Sequence, residues 1–86
     1  MIAPPGYWMH ETGGVLRPAI IAYLNDRPMT PEQIAAMRAY LRQWVADLRW
    51  RGAGLDMLRE TVDRLTTKES IDEWLIHAEY EGIDPL

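Results

Sequence analysis

Apolar residues recur along most of this chain at helical spacing, and no segment alternates in the two-residue period of a strand. The clearest run follows Thr30-Pro31-Glu32-Gln33. Threonine serves as N-cap, proline suits the first helical position, and glutamine at the third closes a capping box. Met29 and Ile34 are placed to form a hydrophobic staple across that start. From there Ile34, Met37, Tyr40, Leu41, Trp44, Val45 and Leu48 fall on one broad arc. The pattern predicts a helix over 31–50, broken by Gly52 and Gly54.

Three more helices follow from the same reasoning. Residues 16–25 carry Val15, Leu16, Ile20, Ile21, Tyr23 and Leu24 with almost no polar face, and Pro18 is tolerated in the opening turn. A helix apolar all round is expected to be the central, most buried one. Residues 55–65 bury Leu55, Leu58, Val62 and Leu65, with Arg59–Asp63 and Glu60–Arg64 as i,i+4 pairs on the wet side. The last helix, 67–81, opens at Thr66 or Thr67, with Thr66 to Glu69 as one candidate capping box. It turns inward on Ile71, Trp74, Leu75 and Ala78 and ends at Gly82, with Ile83 able to fold back on Ala78. Residues 1–14 read as an irregular arm between Pro4-Pro5-Gly6 and Gly13-Gly14. Its Tyr7-Trp8-Met9 either folds back onto the helices or reaches a partner. The expected fold is all-α, one domain over 1–86: a small irregular bundle of about four helices with an extended N-terminal arm.

A domain of 86 residues buries about 60–65% of its unfolded surface and has a stability of roughly 4–13 kcal/mol. That leaves little to support a strained catalytic cleft as well as a core. Cysteine is absent, which removes disulfides, thiolate metal sites and thiol nucleophiles together. The N-terminal residues show no secretory pattern, and the longest apolar run, Ala19 to Leu24, is far short of the roughly 20 residues of a membrane span. A cytoplasmic setting and no membrane are the expectation.

Catalytic chemistry finds little material. Ser70 and His77 share a helix face but stand two turns apart, about 10 Å, beyond hydrogen-bond reach. His10-Glu11 and His77-x-Glu79 supply no three local metal ligands. No glycine-rich phosphate loop or calcium loop is present. No catalysis, no cofactor and no metal are expected.

The net charge is −4, unevenly spread: residues 67–86 hold six acids against Lys68, and residues 1–66 are +1. Eight of nine basic residues are arginine and there are four tryptophans, the side chains that dominate interface energetics. Two surface features stand out. Arg38, Arg42 and Arg49 form a stripe on the second helix with no acid three or four residues away, so their partners lie off the helix: acids of the last helix, or an external carboxylate or phosphate. Ile76 and Tyr80 lie on the back of the last helix, opposite its core stripe, which marks a sandwiched helix or a contact with another chain.

The expected function is therefore a non-enzymatic module binding a protein partner through an aromatic and arginine surface, with Arg38, Arg42, Arg49, Ile76, Tyr80, Tyr7 and Trp8 as candidate contacts. A homo-oligomer is compatible with it. Inhibitor and adaptor both fit, and an acidic helix can mimic DNA toward a nucleic-acid-binding protein. No family is carried by particular residues, although size and acidity are compatible with the small inhibitors of phages, anti-CRISPR proteins among them. The alternative is a helical nucleic-acid-binding regulator using the arginine stripe on phosphates. The net acidity and single lysine weigh against it.

Overall fold

A computed structural model describes residues 14–48 and 52–86. Among them run four α-helices and no strand: α1 (Leu16–Leu24), α2 (Pro31–Ala46), α3 (Ala53–Thr61) with a 3-10 turn at Val62–Arg64, and α4 (Lys68–Tyr80). The all-α bundle read from the sequence is the observed fold. Residues 1–13 of the expected arm, with Tyr7 and Trp8, lie outside the described residues, as does Arg49.

The central helix is α2, not α1. It touches α1, α3 and the 3-10 turn, and it buries Ala36, Met37, Tyr40, Leu41 and Val45. Its start is the one read from the sequence: the Thr30 hydroxyl accepts from the Gln33 N–H, and the Gln33 side chain accepts from the Thr30 N–H. It ends at Ala46, four residues earlier than the apolar pattern implied. Arg59 of α3 caps this end. Its guanidinium donates to the carbonyls of Val45 (3.3 Å) and Leu48 (3.2 Å), so backbone oxygens at this end are satisfied by side-chain donors. Leu48 still packs against the core beyond the helix end.

Helix α1 lies on α2 through Leu16, Ala19 and Ala22, all buried. Ile20 and Tyr23 pack against the edge of the core, while Ile21 is 45% and Leu24 64% exposed. A nine-residue helix with almost no polar residue, at the side of a bundle, leaves part of its apolar surface in water.

Helix α3 begins two residues earlier than expected and tightens into the 3-10 turn at Val62. The tightening removes the i,i+4 register on which Arg59–Asp63 and Glu60–Arg64 depended. Arg59 pairs instead with Asp56 at 3.0 Å, and Asp63 pairs with Arg42. Gly54 sits in the first turn of α3, where the flexible end of the Glu81 side chain occupies the space beside its Cα.

Helix α4 opens on Thr67, and its capping box closes through Ser70 rather than Glu69. Ile71, Trp74 and Ala78 are buried and Leu75 packs beside them. The Trp74 indole N–H donates to the Leu58 carbonyl at 3.1 Å, tying α4 to α3. At its far end Gly82 takes φ +81°, a conformation in which a side chain is strained. The Gly82 N–H then reaches the Glu79 carbonyl (3.0 Å) and the Ile83 N–H reaches the Ala78 carbonyl (2.9 Å). This paired pattern is a Schellman cap. It folds Ile83 back into the core as the sequence implied, and Pro85 follows it into full burial.

Candidate functional site: an acidic furrow between α1 and α4

The exposed face of α1 and the back of α4 stand side by side. Two adjoining hollows, of about 440 and 290 Å³, run between them and share Tyr23, Leu24 and Asp72. One continues toward Asp26 and Lys68, the other toward Leu75, Ile76 and the chain after Gly82. A third hollow, lined by Ile76, Glu79 and Tyr80, extends the surface over the back of α4. Together they form one furrow.

Its apolar elements are Leu24 on one wall and Leu75 and Ile76 on the other, with Tyr80 beyond. Leu24 is 64%, Ile76 52% and Tyr80 87% exposed. Apolar side chains gathered in this way, rather than scattered singly, mark an interaction surface.

Two polar links cross the furrow. The Tyr23 hydroxyl donates to Asp72 Oδ1 at 2.7 Å. Burial, reinforced by this hydrogen bond and the neighbouring carboxylate charge, raises the Tyr23 hydroxyl well above the ordinary tyrosine value. At the other end Lys68 donates to Asp26. That hydrogen bond, with the ammonium charge, holds Asp26 below the usual carboxylate range.

The rim is strongly acidic. Asp26, Glu69, Asp72, Glu73, Glu79 and Asp84 line the hollows against Lys68 alone. Asp26 is engaged by Lys68 and Asp72 by Tyr23. Among the described residues, Glu69, Glu73, Glu79 and Asp84 have no ion-pair partner.

The candidate contacts from the sequence fare differently. Ile76 and Tyr80 are exposed and sit on the furrow. Arg38 is half-buried and donates to the Leu65 carbonyl at 2.7 Å, closing the end of the 3-10 segment. Arg42 is exposed and pairs with Asp63 at 2.6 Å. The expected partners in α4 are thus replaced by the turn that precedes it. These two arginines lie on α2, and neither lines the furrow. Arg49, Tyr7 and Trp8 lie outside the described residues.

Tyr23 and Leu24 were missed as surface candidates. Their signal was the absence of a polar face on α1, which pointed to burial rather than to an open wall.

The Ser70 hydroxyl is committed to capping: it donates to the Thr67 carbonyl and accepts from the Thr66 and Thr67 N–H groups. His77 stands 3.8 Å from Glu81 one turn on. Among the described residues no group of three potential ligands could hold a metal ion, and no helix is long and apolar enough to cross a membrane. Comparison with family models, curated proteins and solved structures finds no match for this chain, so its own residues carry the functional argument.

Proposed function

We propose that this chain is a non-enzymatic protein-interaction module of the cytoplasm, acting as an inhibitor or an adaptor, that holds a protein partner in the furrow between α1 and α4. One observation carries the proposal: Leu24 of α1 and Ile76 of α4, both exposed, line the same hollow from opposite walls. Each leaves about 1 kcal/mol of burial unused in the free chain. A partner side chain seated between them recovers it from both at once.

The arginine stripe adds less than its spacing implied, because Arg38 and Arg42 already have partners within the chain. The nucleic-acid reading loses support for the same reason. An acidic furrow also repels phosphates.

The test is capture from a lysate of the source cell with nuclease present, comparing the tagged chain with Leu24→Ser/Ile76→Ser and with Met57→Gln. Met57 is exposed on α3, lines none of the three hollows, and serves as the control. A stoichiometric protein that survives nuclease, disappears with the furrow variant and persists with Met57→Gln is the expected result. Capture that depends on nucleic acid, or that ignores the furrow variant, would overturn the proposal. Melting curves of all three proteins show whether the fold is kept.

A further inference from the structure

Resting on that reading, we infer that the furrow's partner is a basic amphipathic helix, with leucine-like anchors along one face and lysine or arginine on its flanks. The two long walls of the furrow are helices, whose backbone groups are spent on their own hydrogen bonds; only its end at Ile83 to Leu86 is non-helical, and among the described residues no strand offers an edge. Recognition therefore runs through side chains, which is the helix-in-groove mode. The walls supply Leu24, Leu75 and Ile76, and anchors at i, i+3 or i+4, and i+7 match a furrow that follows the turns of α4 from Glu69 to Glu79.

Charge selects among occupants. Glu69, Glu73, Glu79 and Asp84 line the furrow without cationic partners among the described residues, and a basic flank would supply them. A second copy of this chain fits poorly. A two-fold dimer places the same patch on both sides of the contact, so the rims would bring these acids face to face. The expected arm, residues 1–14, fits poorly too, since it contains neither lysine nor arginine.

The probe is a fluorescein-labelled 15-residue peptide of leucine and lysine, leucines at helical i, i+3, i+4 and i+7 positions. A leucine–glutamate peptide of the same pattern is its counterpart. Fluorescence anisotropy with the intact protein should show the lysine peptide bound at least tenfold more tightly than the glutamate peptide. Ile76→Ser and, separately, Glu73→Lys/Glu79→Lys should each weaken binding of the lysine peptide at least fivefold, and Met57→Gln should leave it unchanged. Raising the salt from 50 to 500 mM should weaken it further. Ile76, Glu73 and Glu79 are surface residues, so the fold should survive these changes, and far-ultraviolet circular dichroism checks it.

Equal binding of the two peptides, or lysine-peptide binding indifferent to both furrow variants, would overturn the inference. Self-association that Ile76→Ser abolishes would do the same, in favour of a second copy. The captured protein separates the two levels of the argument. If capture is lost with Leu24→Ser/Ile76→Ser but untouched by Glu73→Lys/Glu79→Lys, the furrow stands and the basic helix falls. If the first variant leaves capture intact, the furrow itself falls.

Discussion

The Tyr40 hydroxyl donates a 2.7 Å hydrogen bond to the carbonyl of Pro85, joining the middle of α2 to a residue 45 positions further along the chain. Both residues are buried. Tyr40→Phe keeps the ring and leaves the Pro85 oxygen without this donor. An unsatisfied buried acceptor costs about 1–3 kcal/mol. Urea unfolding should show a loss of that size, and a fall in Tm of several degrees should accompany it. An unchanged midpoint would mean that water replaces the hydroxyl.

Alkaline pH should destabilise the fold through two tyrosines. Burial pushes the Tyr40 hydroxyl up to about 12, and burial together with Asp72 raises Tyr23 above its ordinary value. Both pKa values are higher folded than unfolded, so the neutral form is favoured in the native state. The associated stability is complete below the unfolded tyrosine value near 10, and it falls as pH rises from there through the folded pKa. The slope should approach about 1.4 kcal/mol per pH unit for the buried Tyr40 and be smaller for the part-exposed Tyr23, where solvent screens the effect. Urea midpoints between pH 8 and 11.5 measure it, and Tyr23→Phe should flatten the curve without abolishing it.

Arg59 and Arg42 should behave very differently on removal. Arg59 is largely buried and serves Asp56 and the Val45 and Leu48 carbonyls together. Arg59→Ala should cost about 2–3 kcal/mol, as expected when hydrogen bonds to a charged group are lost. The Arg42–Asp63 pair has both side chains about 60% exposed, and Arg42→Ala should cost under about 1 kcal/mol. Thermal unfolding of the two variants side by side checks the order. The reverse order would place the weight of α2 on its surface pair.

Gly82→Ala tests the end of α4. At φ +81° a Cβ is strained, although open space surrounds it. A loss of about 1–2 kcal/mol is expected from backbone conformation alone. Gly82→Asn should recover part of it, because asparagine tolerates the left-handed region better. Equal stability of the alanine variant and the wild type would mean that the turn relaxes.

The features legible in the sequence are the ones whose causes are local. The Thr30–Gln33 box, the Gly82 cap and the inward stripe of Ile71, Trp74 and Ala78 each depend on a few neighbouring residues, and each is found. What escaped depends on which element lies beside which. Arg59 carries acids at i−3 and i+4 in its own neighbourhood, so nothing nearby reveals that it reaches the end of α2. Pro85 reads as a residue that cannot continue a helix, yet it becomes core because the Schellman turn aims it at Tyr40. The candidate site was half visible. Ile76 and Tyr80 fall on the wrong face of α4 for the core, which is a signal of period. Leu24 gave no such signal, because a helix with almost no polar face does not say which side faces out.

The two walls of the furrow are the first and last of the described helices, and α1 rests chiefly on α2 rather than on α4. Its two cross-links join residues 49 and 42 positions apart. The surface therefore does not exist in a chain that is half synthesised, nicked or only partly collapsed. Any partner that recognises both walls is also proofreading the completed fold. Its binding adds to the stability of what it recognises, by about 2.7 kcal/mol when the partner is present at a hundred times its Kd.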